Sequence, residues 1–518
     1  MGFMTQLKTQ LDNEVQRTEN GAVGWRTTGK KLLDLNFSVA SLRSASEQQI
    51  INKFMDAYYE NPVLAIKWLF YARDAREGLG ERRLFRTVFH WLVRCNDDAA
   101  CNVLKFIPEY GRYDDLLCAF DTILQDDVLD IIKVQLDADT HNMKNNKPIS
   151  LLAKWLPSEN ASSVETKRLA TAIRTKLGMT SRNYRKMLSE MRKYIDVVER
   201  KMSAKQWGEI NYEAVPSRAN LIYNNAFLRN DEERRREYLG ALEKGEAKIN
   251  AGTLYPHDIV HKYMYGGWGS DVKSLDAALE GLWKALPDTV KGDSNTIVVA
   301  DGSGSMTCNV GGKTNVSALD VANALAIYFA ERSSGEFKDK YITFSEKPQL
   351  VDFSKAKTLR EKIQIALRHN EVANTNIEAV FDLILNTAVQ NKMSQDDMPK
   401  NILIVSDMEF DRCATTSGVR YSGWCYDTRP TTTLFDMIAQ KYAEHGYKIP
   451  RLVFWNVNSR TGTIPVKEND LGVALVSGFS VNIVNMVMSD KLDPYECLID
   501  VLNTERYQPI EDAVKDAV

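Results

Sequence analysis

Residues 296–306 are TIVVADGSGSM, an apolar run that ends in one acid and two serines separated by glycines. The apolar part is typical of a short, fully buried β-strand. Asp301, Ser303 and Ser305 follow on a tight loop, and carboxylate and hydroxyl oxygens are the ligands that hard cations such as Mg²⁺ prefer. Taken alone, the stretch predicts either a cation site or an ordinary Gly/Ser turn.

Two later segments supply the other parts that such a site needs. Thr375 comes directly before a helical pattern over residues 377–385, and Asp407 comes directly after a second apolar run, residues 401–406. Ligands of doubly wound sheets bind at the carboxyl ends of the strands, where residues that follow the strands meet. The three segments together favour the cation site over the turn.

The three loops resemble the metal-ion-dependent adhesion site of a von Willebrand factor A domain. The resemblance implies that Asp301, Ser303 and Ser305 form the first loop. It also implies that Thr375 is the ligand of the second loop, and that Asp407 is the acid of the third loop, acting through water. The expected cofactor is Mg²⁺, or another divalent cation such as Mn²⁺ or Ca²⁺. The expected protein partner offers an acidic side chain to the metal.

The chain changes its pattern near Asp293. Before it, from about residue 45, helix follows helix with short connections, which suggests a HEAT-like α-solenoid of paired helices. Within this part, Ser181–Met202 is predicted to be one long amphipathic helix. After Asp293, strand-like runs alternate with helical patterns, which indicates a doubly wound, mostly parallel sheet with helices on both faces. The expected strands are 296–300, 340–344, 402–406, 451–456 and 472–476, and the expected helices are 317–332, 357–368, 377–391 and 434–442.

The sequence therefore predicts a multidomain protein, which its 518 residues also favour because they exceed one typical hydrophobic core. The predicted parts are an irregular N-terminal arm (1–45), an α-helical repeat domain (46–290), an α/β domain with the metal site (293–490) and a C-terminal helical segment (491–518).

Composition indicates the setting of the protein. No apolar stretch is long enough to span a membrane, and the polar first 19 residues resemble neither a signal nor a transit peptide. The seven cysteines are scattered without C-x-x-C or zinc spacing, which favours a reducing compartment. We expect a cytoplasmic monomer without membrane contact.

One block is strongly basic, although the net charge of the chain is −3. Residues 141–205 contain 15 Lys and Arg against 5 Asp and Glu, with Trp155, Tyr184 and Tyr194 between them. Cations neutralise phosphates and aromatic rings stack on unpaired bases, so the block suits nucleic acid. A solvated, salt-bridged helix face is the alternative.

A helical array followed by a von Willebrand A-like domain resembles the architecture of the Ro autoantigen family, whose helical half is the TROVE module. Short motifs such as Arg73–Arg82, Tyr110–Leu117 and Lys154–Ser158 are closer to a domain-of-unknown-function family of phages, bacteria and plants. The resemblance to Ro implies binding of small noncoding RNA. Candidates for RNA contact, chosen by charge and helical face, are Lys154, Arg182, Arg185, Lys186, Arg192, Lys193 and Lys201.

One motif has two interpretations. Its charged residues, Arg73, Asp74, Arg76, Glu77, Glu81 and Arg82, predict either a phosphate-binding loop or a salt-bridged helix junction. Because oppositely charged residues lie so close together, the junction is favoured.

Catalytic motifs are absent from the sequence: it has no nucleophile elbow, no P-loop and no dinucleotide fingerprint. We therefore predict that the chain is not an enzyme. Two functional classes remain. The first is an RNA-binding scaffold whose metal domain contacts a partner, and the second is a metal-dependent protein–protein interaction adaptor without a nucleic-acid role.

Overall fold

The computed structural model describes residues 15–266, 271–290, 295–311, 315–369, 374–410, 434–465, 473–483 and 493–518. Contacts group the chain into two compact units. The first, named here the sheet unit, comprises Met1–Glu60 and Leu254–Asn503. The second, the helical unit, comprises Asn61–Thr253 and Thr504–Val518. This grouping cuts the chain at other places than the predicted domain boundaries, because each unit takes in a segment that is distant in sequence.

The elements follow one another in three stretches. The sheet unit begins with β1 (Val15–Arg17), β2 (Val23–Trp25), α1 (Lys31–Phe37), α2 (Val39–Leu42) and α3 (Glu47–Glu60). The helical unit follows with α4 (Pro62–Arg73), α5 (Arg82–Cys95), α6 (Asp97–Leu104), α7 (Ile107–Tyr110), α8 (Gln125–Lys144), α9 (Leu152–Trp155), α10 (Val164–Lys176), α11 (Ser181–Tyr194), α12 (Val198–Ser203), α13 (Ser217–Asn230) and α14 (Glu232–Lys244). The sheet unit resumes with α15 (Pro256–Tyr263), α16 (Ala277–Lys284), β3 (Thr296–Asp301), α17 (Ala318–Arg332), β4 (Lys340–Phe344), β5 (Gln349–Asp352), α18 (Leu359–Arg368), α19 (Glu378–Gln390), β6 (Asn401–Ser406), α20 (Leu434–Glu444), β7 (Arg451–Asn456), β8 (Val473–Ser477) and α21 (Pro494–Leu502), and α22 (Gln508–Val514) belongs to the helical unit. Among these described helices, none is both long and apolar enough to cross a membrane.

In the part of the chain that the structure describes, β3 to β8 form one six-stranded sheet in the order β5-β4-β3-β6-β7-β8. All neighbours pair in parallel except β5, which runs antiparallel to β4 at the edge. This is the order of a doubly wound sheet, with its switch point between β3 and β6. The predicted fold class, an α-helical array with a mostly parallel α/β domain, is confirmed.

The predicted strands and helices after Asp293 agree with the observed ones to within about two residues. The exception is β5, which was not predicted. It is a short edge strand in which Val351 is buried while Leu350 is exposed, so it lacks the continuous apolar run of the inner strands.

The core of the sheet unit is organised around α17, which packs against β3, β4 and β6. A capping box begins this helix: the Ser317 hydroxyl accepts the N–H of Asp320 at 3.1 Å, and the Asp320 carboxylate accepts the N–H of Ser317 at 2.8 Å. Every side chain from Ala318 to Ala330 is buried. A helix that is apolar all round is expected when neighbours cover it on all sides.

The predicted irregular arm is wrong for residues 15–42, which have regular structure within the sheet unit. β1 and β2 form an antiparallel hairpin. The Asn456 amide donates to the Phe37 carbonyl at 2.8 Å, and the Ala40 N–H donates to the Ser477 hydroxyl at 3.0 Å. These partners lie more than 400 residues away, so local sequence patterns contain little sign of the arm's structure.

The helical unit likewise depends on a distant segment. The buried Asp74 accepts the Arg506 guanidinium at 2.9 Å and the Tyr507 hydroxyl at 3.1 Å, and Arg73 donates to Asp115 at 2.6 Å. The predicted salt-bridged junction is confirmed. Its partners, however, come from outside the motif that predicted it.

The predicted single helix over Ser181–Met202 is two helices, α11 and α12. The chain turns at Ile195–Val197, where Asp196 has a φ of 54°, in the left-handed region that acidic and amide residues tolerate better than most. The apolar spacing continues through both helices, so periodicity alone did not indicate the break.

Replacing Asp74 by Asn should lower the free energy of unfolding of the helical unit by about 3–5 kcal/mol, because the change removes the buried partner of Arg506 and leaves it only the exposed Glu77 at 3.8 Å. Chemical denaturation followed by circular dichroism measures this loss. The control is Asp512→Asn, which removes an exposed pair with Lys515 at 3.4 Å and should cost less than about 1 kcal/mol. Equal losses in the two variants would contradict the structural role of Asp74.

Candidate metal centre and nucleic-acid interface

The predicted metal ligands meet at the carboxyl edge of the sheet. Parallel pairing sets Ala300 beside Val405, so the acids that follow β3 and β6 lie at the switch point of the sheet. The N–H of Asn376 donates to the Ser345 carbonyl at 3.1 Å, which ties the loop of Thr375 to the end of β4. Of the predicted ligands, Asp301, Ser303, Thr375 and Asp407 are buried, and Ser305 is half-buried.

Neighbouring donors fix the orientation of Asp301. One carboxylate oxygen accepts the N–H of Ser303 at 2.9 Å, and the other accepts the Ser406 hydroxyl at 2.6 Å. Ser406 also accepts the N–H of Met408 at 3.0 Å. Ser406 was not among the predicted site residues; the only sign of its role is a polar residue at the end of the buried run 401–406.

The donor set fits a hard divalent cation. The hydroxyl oxygens of Ser303 and Ser305 lie 3.0 Å apart, close to the spacing of about 3 Å between adjacent ligands in an octahedral Mg²⁺ shell. Among the described residues, the buried Oδ2 of Asp407 has no hydrogen-bond partner, which is unusual for a buried oxygen. A cation, bound directly or through water, would satisfy it.

The charge balance at this edge also favours a cation. Burial, together with the nearby carboxylate of Asp301, raises the pKa of Asp407 well above its usual range. The Ser305 hydroxyl and the N–H of Glu409, which donates to Oδ1 at 3.2 Å, oppose this rise only in part. The Arg460 guanidinium is 3.8 Å from Oδ2, beyond hydrogen-bond distance. Nowhere in the described ranges do three or more His, Cys, Asp or Glu side chains form a metal-binding group, so ligation here depends on hydroxyls.

The β1–β2 hairpin contributes Asn20, which lies in the segment predicted to be an irregular arm. The Asn20 amide donates to the Thr375 hydroxyl at 3.2 Å and to the Glu409 carbonyl at 2.7 Å. A hydroxyl oxygen that accepts one hydrogen bond has a second lone pair for a cation. Asn20 therefore sets the direction in which Thr375 can ligate.

Buried Glu409 anchors the hairpin to the loop after β7. Its carboxylate accepts the N–H of Glu19 at 2.9 Å and the N–H groups of Arg460 and Thr461 at 3.1 and 2.9 Å. The side chains of Arg460 and Glu19 pair at 2.7 Å. The hairpin and this loop are thus joined by one carboxylate two residues after the predicted ligand Asp407.

A groove of about 620 Å³ opens in the helical unit beside α9, α11 and α12. Four cations line it, Lys154, Arg185, Arg192 and Arg200, together with the Trp155 ring and a single acid, Glu199. In the described part of the chain, no hydrogen-bond partner reaches the buried Nε of Arg200. The buried Oε2 of Glu199 likewise has no hydrogen-bond partner among the described residues. The four cations and the Trp155 ring therefore make the groove suited to an anionic, ring-containing ligand.

The predicted RNA-contact residues fall into three groups. Lys154, Arg185 and Arg192 line the groove. Arg182, Lys186 and Lys193 are exposed on α11, where Lys186 lies 3.7 Å from Glu190. Lys201 is buried, and its ammonium donates to Asp196 at 2.8 Å and to the Glu209 carbonyl at 2.6 Å.

The break at Asp196 explains why Arg200 was missed. A continuous helix would place Lys201 on the basic face, whereas the turn directs Lys201 inward and Arg200 toward the groove. Arg192 closes one wall: its guanidinium donates to the carbonyls of Ala153 and Leu156 at 2.8 and 2.9 Å and to the Ser158 hydroxyl at 2.8 Å. Burial lowers the pKa of Arg192, and these neutral acceptors leave its positive charge uncompensated.

Replacing Asn20 by Ala should weaken Mg²⁺ binding by about 10-fold to 100-fold, the usual effect of losing a residue that orients a metal ligand. Isothermal titration calorimetry with Mg²⁺ on the full chain measures the change. Arg26→Ala, at an exposed position after the same hairpin, is the control and should bind normally. Unchanged affinity in Asn20→Ala would show that Thr375 needs no such support.

Comparisons with known proteins match nearly the whole chain. The family described as "Domain of unknown function (DUF2828)" matches residues 18–117 and 174–295, and "Domain of unknown function (DUF7788)" matches residues 295–514. Neither description names a catalytic activity. Among solved structures, the crystal structure of the Deinococcus radiodurans RO (RSR) protein is 14% identical, with 90% of this chain and 93% of that chain covered and a TM-score of 0.32. A score this low does not establish a shared fold.

A full-length relative gives the firmer result. The "Uncharacterized protein L728" of Acanthamoeba polyphaga mimivirus is 30% identical over 533 residues, which cover 95% of this chain and 88% of the relative. The domain-of-unknown-function resemblance that the short motifs predicted agrees with these matches. The chain therefore belongs to the family of the mimivirus protein L728, and in it a DUF2828 region is followed by a DUF7788 region.

Proposed function

We propose that this chain is an RNA-binding scaffold. Its helical unit holds a small noncoding or structured RNA in the basic groove beside α9, α11 and α12. Its sheet unit binds Mg²⁺ at the carboxyl edge and offers the metal to an acidic residue of a protein partner. The proposal includes no catalytic step.

The groove is the observation that carries the proposal. Lys154, Arg185, Arg192 and Arg200 line the same groove as the Trp155 ring, with one acid among them. Cationic side chains track a phosphate backbone, and an aromatic ring beside them provides a stacking surface for bases. The architectural resemblance to Ro proteins, whose helical repeats hold noncoding RNA, supports the same ligand class.

The metal role is supported by the donor set at the switch point. Asp301 and Asp407 are the two acids, and the remaining predicted ligands are the neutral hydroxyls of Ser303, Ser305 and Thr375. A shell with so few charges leaves the ion electrophilic, so a carboxylate from another molecule would be a favourable further ligand. With the metal bound, the residues of this edge hold it and orient it toward that partner.

A metal-dependent adaptor without RNA is the second candidate function. The unsatisfied Oδ2 of Asp407 favours a cation site whether or not RNA binds elsewhere. The two candidates differ in their response to solution conditions. Phosphate contacts weaken steeply with salt, whereas a metal–carboxylate contact disappears with a chelator.

Replacing Arg185 and Arg200 together by Gln should weaken binding of a structured RNA with a single-stranded 3′ tail. Loss of two phosphate contacts should also reduce the slope of log affinity against log salt by about 1.4. Fluorescence anisotropy at a series of salt concentrations, with duplex DNA as competitor, measures both effects.

The control for the groove variant is Arg236→Gln, which removes an exposed arginine paired with Glu232 on α14. It should leave affinity and slope unchanged. If the wild-type chain does not bind the tailed RNA at low salt, or does not prefer it over duplex DNA, the scaffold is wrong and the adaptor becomes the better proposal.

Replacing Asp301 by Ala should abolish Mg²⁺ binding in calorimetry and leave RNA affinity nearly unchanged, because the two ligands occupy different units. The matched control is Asp397→Ala, at an exposed acid of the sheet unit, which should retain Mg²⁺. A large fall in RNA affinity in Asp301→Ala, with the circular dichroism spectrum preserved, would refute this division of roles.

A further inference from the structure

The basic character of the helical unit continues beyond the groove into a cluster of three arginines, Arg82, Arg86 and Arg112, named here the arginine cluster. Arg82 begins α5 and is exposed. Arg112 lies just before the short turn of helix Tyr113–Ala119. None of the three belongs to the basic block at residues 141–205.

Two aspartates, Asp114 and Asp115, form ion pairs with members of this cluster and with Arg73. Asp115 is buried and accepts Arg73 at 2.6 Å and Arg86 at 2.6 Å. Asp114 forms an ion pair with Arg86 at 2.9 Å and accepts a hydrogen bond from Arg112 at 2.8 Å. Three guanidinium groups thus pair with two carboxylates, and Arg82 lies one helical turn before Arg86 on α5. The surplus charge is positive.

The surplus is concentrated at the surface. The side chain of Arg73 is only 4% exposed, and its pair with Asp115 is part of the fold. Arg86 and Arg112 are 34% and 28% exposed. Partial burial and repulsion by Arg112 and Arg86 lower the pKa of Arg82, despite the attraction of Asp114 and Asp115. An anion at this position would relieve that repulsion.

One side chain connects the cluster to the groove. The Arg112 guanidinium lies 3.9 Å from the centroid of the Trp155 ring, and the Lys154 ammonium lies 5.5 Å from the same ring. Trp155 and Lys154 both line the groove. The cluster and the groove therefore adjoin each other within the helical unit.

We propose that Arg82, supported by Arg112, binds a backbone phosphate of the same RNA strand that occupies the groove, so that the strand continues past Trp155. This inference rests on the proposed function. Guanidinium groups present paired N–H donors that match phosphate oxygens. Because the cluster adjoins the groove, we assign the phosphate to a polynucleotide and not to a free ion.

The test is Arg82→Gln in the full chain, titrated with single-stranded RNAs of about 4, 8 and 16 nucleotides, the range of single-strand site sizes. The shortest RNA, which the groove alone can hold, should bind nearly as tightly as to the wild type. The longer RNAs should bind about 5-fold to 10-fold more weakly, with a salt slope lower by about 0.7, the value for one phosphate contact.

Two further variants guard the result. Arg94→Gln removes an exposed arginine from the last turn of the same helix and should bind every RNA normally. If Arg94→Gln loses as much RNA affinity as Arg82→Gln, the effect comes from the net charge of the protein and the phosphate subsite is wrong. Arg82→Lys keeps the charge and should restore the salt slope. If it does not, while the thermal midpoint of Arg82→Gln has shifted, Arg82 is structural.

Comparison with the groove variant, Arg185→Gln/Arg200→Gln, tells failure of the phosphate subsite from failure of the proposed RNA-binding function. If Arg185→Gln/Arg200→Gln weakens binding and Arg82→Gln does not at any length, the phosphate subsite is wrong and the groove remains. If neither variant weakens binding, the proposed function fails, and the subsite fails with it.

Discussion

The sheet unit depends on one constraint: parallel pairing of β3 with β6 puts two carboxylates, Asp301 and Asp407, at the same buried edge. Burial, together with the repulsion between the two acids, raises the pKa of Asp407. Ser406, Ser303 and the backbone donate hydrogen bonds to them, and the Arg460 guanidinium lies 3.8 Å from Asp407. A bound cation would lower the cost of burying the two charges together.

The same constraint explains why the N-terminal hairpin lies where it does. Loops at a switch point have few neighbours of their own, because the strands end there and the chain leaves the sheet. Glu409 replaces those missing contacts by accepting N–H groups from the hairpin and from the loop after β7. The carboxyl edge of the sheet is thus held in place by the N-terminal β1–β2 hairpin. That hairpin lies outside the predicted α/β domain.

Sequence patterns predicted those strands and helices whose formation depends on neighbouring residues in the chain. The apolar runs predicted the inner strands and α17, and the alternation of strands with helices predicted a mostly parallel sheet. The five candidate metal-ligating residues could be named because each lies next to a recognisable element, and their binding of a metal stays a prediction. Prediction failed where distant contacts decide: Asn20 acts through Thr375, and Ser406 acts through Asp301. Lys201 turned inward because one residue, Asp196, took a left-handed conformation.

The dependence of Asp74 on Arg506 also has a consequence for biosynthesis. The two residues lie 432 positions apart, and a ribosome adds about 5–20 residues each second. For roughly 20–90 s the nascent helical unit therefore contains Asp74, which is buried in the folded protein, before its partner Arg506 has been synthesised. Residues Leu254–Asn503 of the sheet unit are synthesised in that interval. The pair between Asp74 and Arg506 therefore forms only after that segment has been made, and the helical unit completes its fold late in synthesis.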